Sequence, residues 1–229
     1  ETPFPVGVEY YRGGTPKSEV WNDDFARIRA SGFKIIRTAS YWNWMEPYPC
    51  IYKLDDFDQL MDKAAENGLS VWMDIMLATH GACPEWLTRE NPDICAVNQR
   101  GQPMMPDAHP AYSQGGMIHC YDHPIWREHG GNLLRHVISR YKNHPALHVW
   151  GIWDGINLSS AWTGQGNGYP CYCESTLHRW KLWLQDNFGL DEFNERVQRR
   201  FPSWDYVEPP RSNNNVVEML VYRQFHYEN

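Results

Sequence analysis

The chain of 229 residues lacks the features of membrane proteins and of nucleic-acid-binding proteins. No apolar run approaches the ~18 residues that a membrane-spanning helix needs, and no signal peptide is visible. Basic residues number 21 against 28 acidic ones, and the net charge of −7 argues against nucleic acid or an anionic membrane surface as a partner. Because the chain starts at Glu1 rather than Met, we expect that upstream residues were removed or omitted.

Aromatic residues are abundant: the sequence has 12 Trp, 13 Tyr and 8 Phe. The hydrophobic fraction of 42% is ordinary for a globular protein, and the length allows one domain with a substantial core. Some of these rings must belong to that core, but flat rings also stack on the C–H groups of sugars. We therefore expect a single domain over residues 1–229, with a composition that suits carbohydrate recognition.

Six cysteines leave three alternatives open, at positions 50, 83, 95, 120, 171 and 173. An even number permits three disulfides, but a domain of this size does not need them. Buried free thiols are the usual state in a large domain, and a metal site is the third alternative. The cellular compartment stays unknown for the same reason.

Hydrophobic periodicity predicts strands that alternate with helices. The predicted strands are 6–11, 33–39, 69–76 and 147–153. Amphipathic patterns predict helices between them, and one of these is capped by Asp55 or Asp56 and ended by Gly68. After the fourth strand only helices are predicted, near 177–188, 191–200 and 217–229.

This order of elements predicts an α/β fold with a parallel sheet. A complete (β/α)8 TIM barrel has eight strands and usually ~250 residues, so we expect a partial barrel of about the first four βα units followed by helices. The first and fourth strands would each expose an unpaired edge. We expect the domain to be incomplete at its C-terminus; the alternative is that a second copy covers the edges and forms a homo-oligomer.

Several segments, in order and with matching spacing, resemble the catalytic domain of the glycoside hydrolase family 42 β-galactosidases. They are GVEYY (7–11), RTASYWNWMEP (37–47), PEWLTRENP (84–92), RYKNHP (140–145), CYC (171–173), FGLD (188–191) and EPPR (208–211). Each motif is weak alone, but the ordered set is specific and covers roughly the first half of the family's barrel. The resemblance implies a retaining glycosidase scaffold whose ligands are galactosides or other glycans.

The segment HVWGIWDGINL (148–158) matches the family's fourth strand and its catalytic end. Retaining glycosidases use two carboxyl groups ~5–5.5 Å apart, a nucleophile and an acid/base. The resemblance places the sugar-binding Asn of the family at Asp154 and its acid/base Glu at Gly155, while the nucleophile belongs to a seventh strand beyond Asn229. Glycine cannot transfer a proton, so we expect weak or absent hydrolysis. Asp154 as a displaced acid is the alternative.

Three further residues are predicted to contact substrate, together with Asp154. Arg37 is predicted at the end of the second strand, where the family has an Arg that supports the catalytic carboxylates; a structural ion pair is the alternative. Trp42 and Trp162 fall in predicted loops near strand ends, where they would stack on a sugar or else pack the loops onto the barrel. Asp74 in the third strand has equal claims to a structural and a functional role.

The resemblance also implies a metal site. Many members of the family hold a structural zinc with four Cys, and Cys120, Cys171 and Cys173 match three of these, while Thr176 takes the fourth place. Zinc prefers four N or S ligands in a tetrahedron, so His119 or His178 would complete the set. A disulfide from Cys120 to either of the other two is the competing expectation.

The leading hypothesis is therefore a β-galactosidase-like glycoside hydrolase domain that is weak or inactive without the acid/base carboxylate. One alternative is a pseudoenzyme that binds glycans without cleaving them. The other is a structural half-barrel subunit that self-assembles through its open sheet edges.

Overall fold

A computed structural model describes residues 6–77, 82–104, 119–152, 171–212 and 214–228. The strands in these ranges are β1 Gly7–Arg12, β2 Ile35–Tyr41, β3 Ser70–Met76 and β4 Leu147–Ile152. The helices are α1 Trp21–Ala30, α2 Trp42–Met45, α3 Asp55–Glu66, α4 Glu85–Glu90, α5 Pro124–Tyr141, α6 Glu174–Asn187, α7 Leu190–Val197 and α8 Val216–Glu228. Short 3-10 turns occupy Ser18–Val20, Pro92–Ile94 and Trp204–Tyr206.

The four strands form one parallel sheet in the order β1-β2-β3-β4. This confirms the predicted α/β fold with a parallel sheet. Within the described residues β1 and β4 each pair with one neighbour, so each has one open edge. No helix in the same ranges is long and apolar enough to cross a membrane.

Strands β2 and β3 begin later than predicted, because glycine caps use the residues before them. Gly32 has φ +91°, and the N–H of Phe33 donates to the carbonyl of Ile28, which closes α1. Gly68 has φ +65°, and the N–H of Leu69 donates to the carbonyl of Ala64 in the same way. Both are Schellman motifs, in which glycine adopts the left-handed conformation at little cost.

The prediction that Asp55 or Asp56 caps α3 is wrong. Leu54 holds the N-cap position, and its side chain makes no capping hydrogen bond. Oδ1 of Asp56 accepts the Phe57 N–H of the first turn at 2.9 Å, and Oδ2 accepts hydrogen bonds from the Tyr11 hydroxyl and, at 2.6 Å, from the Trp44 indole. Tertiary contacts with β1 and α2 therefore use the group that sequence alone assigned to the cap.

The chain divides into two compact units, residues 1–91 with 128–156 and residues 92–127 with 157–229. The first unit contains the sheet, and aromatic side chains form much of its core, with Tyr11 meeting Trp21 and Phe57 edge-on at 5.3 and 5.4 Å. In the second unit α6, α7 and α8 bury a core that includes Trp180 and Phe225. The expectation of a single domain over the whole chain stays a prediction.

Candidate active site and metal centre

Arg37, Trp72, Asp74 and Gly151, which we call the Arg37 cluster, lie together on one face of the sheet. The Arg37 guanidinium forms an ion pair with the Asp74 carboxylate, and its carbon lies 5.3 Å from the centre of the Trp72 ring. The Arg37 side chain is 26% exposed and that of Asp74 only 3%. Arg37 therefore has the structural ion pair that was its alternative role, and its side chain stays partly exposed.

Gly151 is required by its neighbours in this cluster. It pairs with Asp74 across the β3–β4 ladder. A Cβ atom there would lie 2.5 Å from Nε1 of Trp72 and 2.7 Å from Oδ1 of Asp74. Because ordinary contacts are about 3.5–4.0 Å, only glycine lets the carboxylate approach β4 this closely.

The predicted catalytic positions are only partly described. Arg37 is the third residue of β2 rather than its last, because β2 continues to Tyr41. Asp154, Gly155 and Trp162 lie outside the described residues.

Trp42 is fully buried. Its Nε1 donates a hydrogen bond to Oε2 of Glu46 at 2.7 Å, and Oε1 of the same buried carboxylate accepts one from the Cys50 N–H at 2.8 Å. A ring with no exposed face cannot stack on a sugar, so this placement favours the alternative in which Trp42 packs its segment onto the sheet.

Trp72 is the residue of this face that sequence reasoning missed. It is 40% exposed on the face that Arg37 and Asp74 share. The signal was present, because alternate residues of a strand point to the same face and Trp72 is two positions from Asp74.

Cys120, Cys171 and Cys173, which we call the thiol cluster, meet in the second unit, as the resemblance to the family implied. Their sulfur atoms all lie within 4.8 Å of one another, and those of Cys120 and Cys173 are 3.2 Å apart. Cys173 is the N-cap residue of α6, and the buried Ala96 and Met104 pack around the cluster. Three soft sulfur ligands at this spacing suit zinc or another thiophilic ion.

Thr176 adjoins the thiol cluster. Its Oγ1 lies 3.1 Å from the sulfur of Cys120 and 3.6 Å from that of Cys173, and it donates a hydrogen bond to Oδ2 of Asp122 at 2.8 Å. Among the residues that the structure describes, neither His119 nor His178 belongs to the group of ligand atoms within 4.8 Å. The histidines expected to complete the metal set therefore do not occupy the fourth place in this geometry.

The thiols perturb one another's ionisation. Hydrogen bonds from Cys120 and then Cys171 lower the pKa of the Cys173 thiol well below its ordinary value. Contacts with Cys171 and Cys173, with burial, raise the pKa of Cys120, and burial raises that of Cys171 to about 12. Cys173 is also the N-cap residue of α6, where the helix dipole favours the thiolate form.

Solved structures share this fold. A β-galactosidase from a Rahnella species has a TM-score of 0.78 at 21% identity over 98% of this chain and 32% of its own. A β-galactosidase from Halorubrum lacusprofundi gives 0.79 at 21% identity over 97% and 32%. The catalytic domain of a Paenibacillus polymyxa β-amylase gives 0.63 at 13% identity over 96% and 59%. The fold is thus part of a TIM-barrel glycosidase fold, which confirms the predicted partial (β/α)8 barrel.

The sequence is more specific than the fold. Residues 9–229 match the glycoside hydrolase 42 family model, described as β-galactosidase, so the chain belongs to that family. It is 26% identical over 206 residues to β-galactosidase BgaB of a Geobacillus species, and 25% identical over 226 residues to β-galactosidase BbgII of Bifidobacterium bifidum. The matches cover 84% and 90% of this chain but only 27% and 29% of those relatives, so it spans less than a third of their length.

Proposed function

We propose that this chain forms the first part of a barrel that recognises terminal β-galactosides or related glycans and has lost efficient hydrolysis. The observation that carries the proposal is Gly155 at the position where the resemblance to the family places the acid/base Glu, three residues beyond Ile152, the last residue of β4. TIM-barrel active sites lie at the carboxyl ends of the strands, so a residue that follows β4 this closely belongs to the catalytic end.

The missing carboxylate has a calculable consequence. A positioned general acid contributes about 10²–10⁴ in rate, and glycine has no group that can replace it. Asp154 is the nearest carboxylate in sequence, but it occupies the neighbouring position, where the resemblance places the sugar-binding Asn, and its side chain is shorter than that of Glu. We therefore propose that hydrolysis is weak or absent while sugar recognition remains.

Recognition is supported by the face that carries the Arg37 cluster. The Arg37 side chain, a hydrogen-bond donor, is 26% exposed, and Trp72 is 40% exposed. Sugar-binding surfaces combine such donors with aromatic rings that contact C–H groups. Among the described residues, Arg37 and Trp72 are therefore the two that we propose to face the ligand, while Asp154 and Trp162 stay predictions from the sequence.

The test measures binding and turnover separately on one preparation of a polypeptide that contains this chain together with the remaining strands of the barrel, because the resemblance places the nucleophile beyond Asn229. We expect saturation-transfer NMR to detect binding of isopropyl β-D-thiogalactoside in preference to a matched mannoside, and no release of nitrophenol from 4-nitrophenyl β-D-galactopyranoside. Ordinary glycosidase turnover that Asp154→Asn abolishes, and that the exposed control Asp93→Asn retains, would overturn the proposal. Equal binding of both sugars would overturn the substrate class.

We also propose that the thiol cluster holds a structural zinc. It would connect segment 119–120 to the start of α6, because Cys120 and Cys173 come from these two places. Metal analysis of the purified chain should find one zinc per molecule, lost in Cys120→Ser and retained in the control Cys95→Ser, which removes a buried thiol outside the cluster. Loss of metal in neither variant would exclude the site.

A further inference from the structure

A tetrahedral zinc site needs a fourth ligand besides the three sulfurs of the thiol cluster. The candidate atom that adjoins these sulfurs is an oxygen rather than a sulfur or a nitrogen. We propose that the Thr176 hydroxyl oxygen, held in place by Asp122, is the fourth zinc ligand, which makes a site of three sulfurs and one oxygen. This inference rests on the proposed zinc and is independent of galactoside chemistry.

The distances fit a tetrahedron. With Zn–S about 2.3 Å and Zn–O about 2.0–2.2 Å, sulfur atoms lie about 3.8 Å apart and a sulfur and an oxygen about 3.5 Å apart. The separations of Thr176 Oγ1 from Cys120 and Cys173, 3.1 and 3.6 Å, are close to that edge. The sulfur separations, between 3.2 and 4.8 Å, bracket the longer edge. Small shifts of side chains would therefore bring all four atoms to bonding distance.

Asp122 fixes the direction of the threonine hydroxyl. The Thr176 hydroxyl has one hydrogen atom, which it uses to donate a hydrogen bond to Oδ2 of Asp122 at 2.8 Å. The lone pairs of Oγ1 are therefore left for the sulfur side of the residue, where a metal would lie. A carboxylate that accepts this hydrogen bond also makes the threonine hydroxyl oxygen more electron-rich, as carboxylates do for metal-bound histidine.

The charges around the site balance when zinc is bound. Oδ1 of Asp122 lies 3.0 Å from Nε of Arg179 and 3.4 Å from Nη2 of Arg127, and the Asp122 side chain is 6% exposed. Three thiolates and this carboxylate carry four negative charges; the zinc ion and the two guanidinium groups carry four positive charges. A buried site of this kind is costly unless its charges are compensated.

The sulfur of Cys171 lies in surroundings that favour its thiolate form. It accepts the backbone N–H of Val97 at 3.0 Å and that of Cys173 at 3.3 Å. Such donors stabilise a thiolate in an apolar environment, in the same way that hydrogen bonds around metal-bound sulfur tune metal sites. With three charged sulfurs, the charge balance is met when the fourth ligand, Thr176, is neutral.

The experiment measures zinc affinity by competition with a chromophoric chelator, and ligand number by the absorption spectrum after cobalt substitution. We expect Thr176→Val to lower zinc affinity about 10–100-fold, as loss of a supporting ligand does, and Thr176→Ser to retain the affinity of the unchanged chain. In Thr176→Cys the thiolate-to-cobalt absorption should rise by about one third, because three sulfur ligands become four. Asp122→Asn should weaken binding without changing the number of sulfurs.

The outcomes separate the two proposals. If the unchanged chain binds no zinc, or is isolated with a mass lower by two hydrogens because Cys120 and Cys173 have formed a disulfide, the zinc proposal itself fails. If zinc binds and Thr176→Val keeps full affinity, only the fourth ligand is wrong. Should Thr176→Val fail to fold, an unchanged cobalt spectrum in Thr176→Cys would overturn the inference instead.

Discussion

Replacement of Gly151 by alanine tests the geometry of the Arg37 cluster. The added Cβ would lie 2.7 Å from Oδ1 and 2.9 Å from Cγ of Asp74, and 2.5 Å from Nε1 of Trp72. The Trp72 ring is 40% exposed and can move outward, but the buried carboxylate is tied to Arg37. The cost of Gly151→Ala therefore depends mainly on Asp74.

The expected magnitude follows from two terms. Overpacking by one methyl group costs about 1–3 kcal/mol. Displacing Asp74 would also weaken its pairing; full loss of a buried partner costs about 3–5 kcal/mol, and the part-exposed Arg37 reduces that. We expect Gly151→Ala to lower the free energy of unfolding by about 2–4 kcal/mol, and the urea midpoint by about 1 M or more.

Gly130→Ala is the matched control, because both substitutions add one methyl group to the same unit. The Cβ added by Gly130→Ala would lie 3.6 Å from the nearest atom of Trp42, which is an ordinary contact distance. Residue 130 lies inside α5. Alanine is a better helix former than glycine by up to about 1 kcal/mol, so this variant should be more stable. If urea titrations show that Gly151→Ala gains as much stability as Gly130→Ala, Asp74 does not approach β4 as described.

The remaining predictions concern the pH dependence of stability, the open edges of the sheet and the Trp44 ring. Burial lowers the pKa of His226 to about 4 from 6.5, so its stabilising effect is complete above pH 6.5 and is lost as pH falls towards 4. The difference in unfolding free energy between pH 5 and pH 7, measured by urea titration, should be smaller in His226→Leu by up to about 2 kcal/mol, and equal differences in the two proteins would contradict this. Because β1 and β4 have open edges in the described residues, light scattering should show masses above 26.9 kDa; a stable monomer would contradict that. Trp44 covers the Gly13–Gly14 turn, so Trp44→Ala should destabilise the chain without changing thiogalactoside binding, and lost binding would instead make it a ligand contact.

Sequence predicted the sheet well because each strand is an apolar run bounded by a strong signal. Gly32 and Gly68 end the helices before β2 and β3, and no other residue adopts their conformation as readily. Helix α4 was missed because Glu85–Glu90 is too short to show a helical period. The assignment of Trp42 to a loop failed for the same reason, since α2 has only four residues.

The candidate site was predictable where a motif carries the chemistry. The spacing of Cys171 and Cys173 and their resemblance to a family motif indicated the thiol cluster. The bond from Thr176 to Asp122 joins residues 54 positions apart and leaves no local pattern, so only the fold reveals it. The partnership of Arg37 with Asp74 likewise depends on the register of two neighbouring strands.

The most direct test concerns residue 155 in a polypeptide that contains this chain together with the remaining strands of the barrel. Hydrolysis of 4-nitrophenyl β-D-galactopyranoside should be near background in the natural sequence, and Asp154→Asn combined with Gly155→Glu should raise it about 10²–10⁴-fold. Turnover at ordinary glycosidase speed before the substitutions, or no gain after them in a folded protein that still binds thiogalactoside, would contradict a lost acid/base at this position.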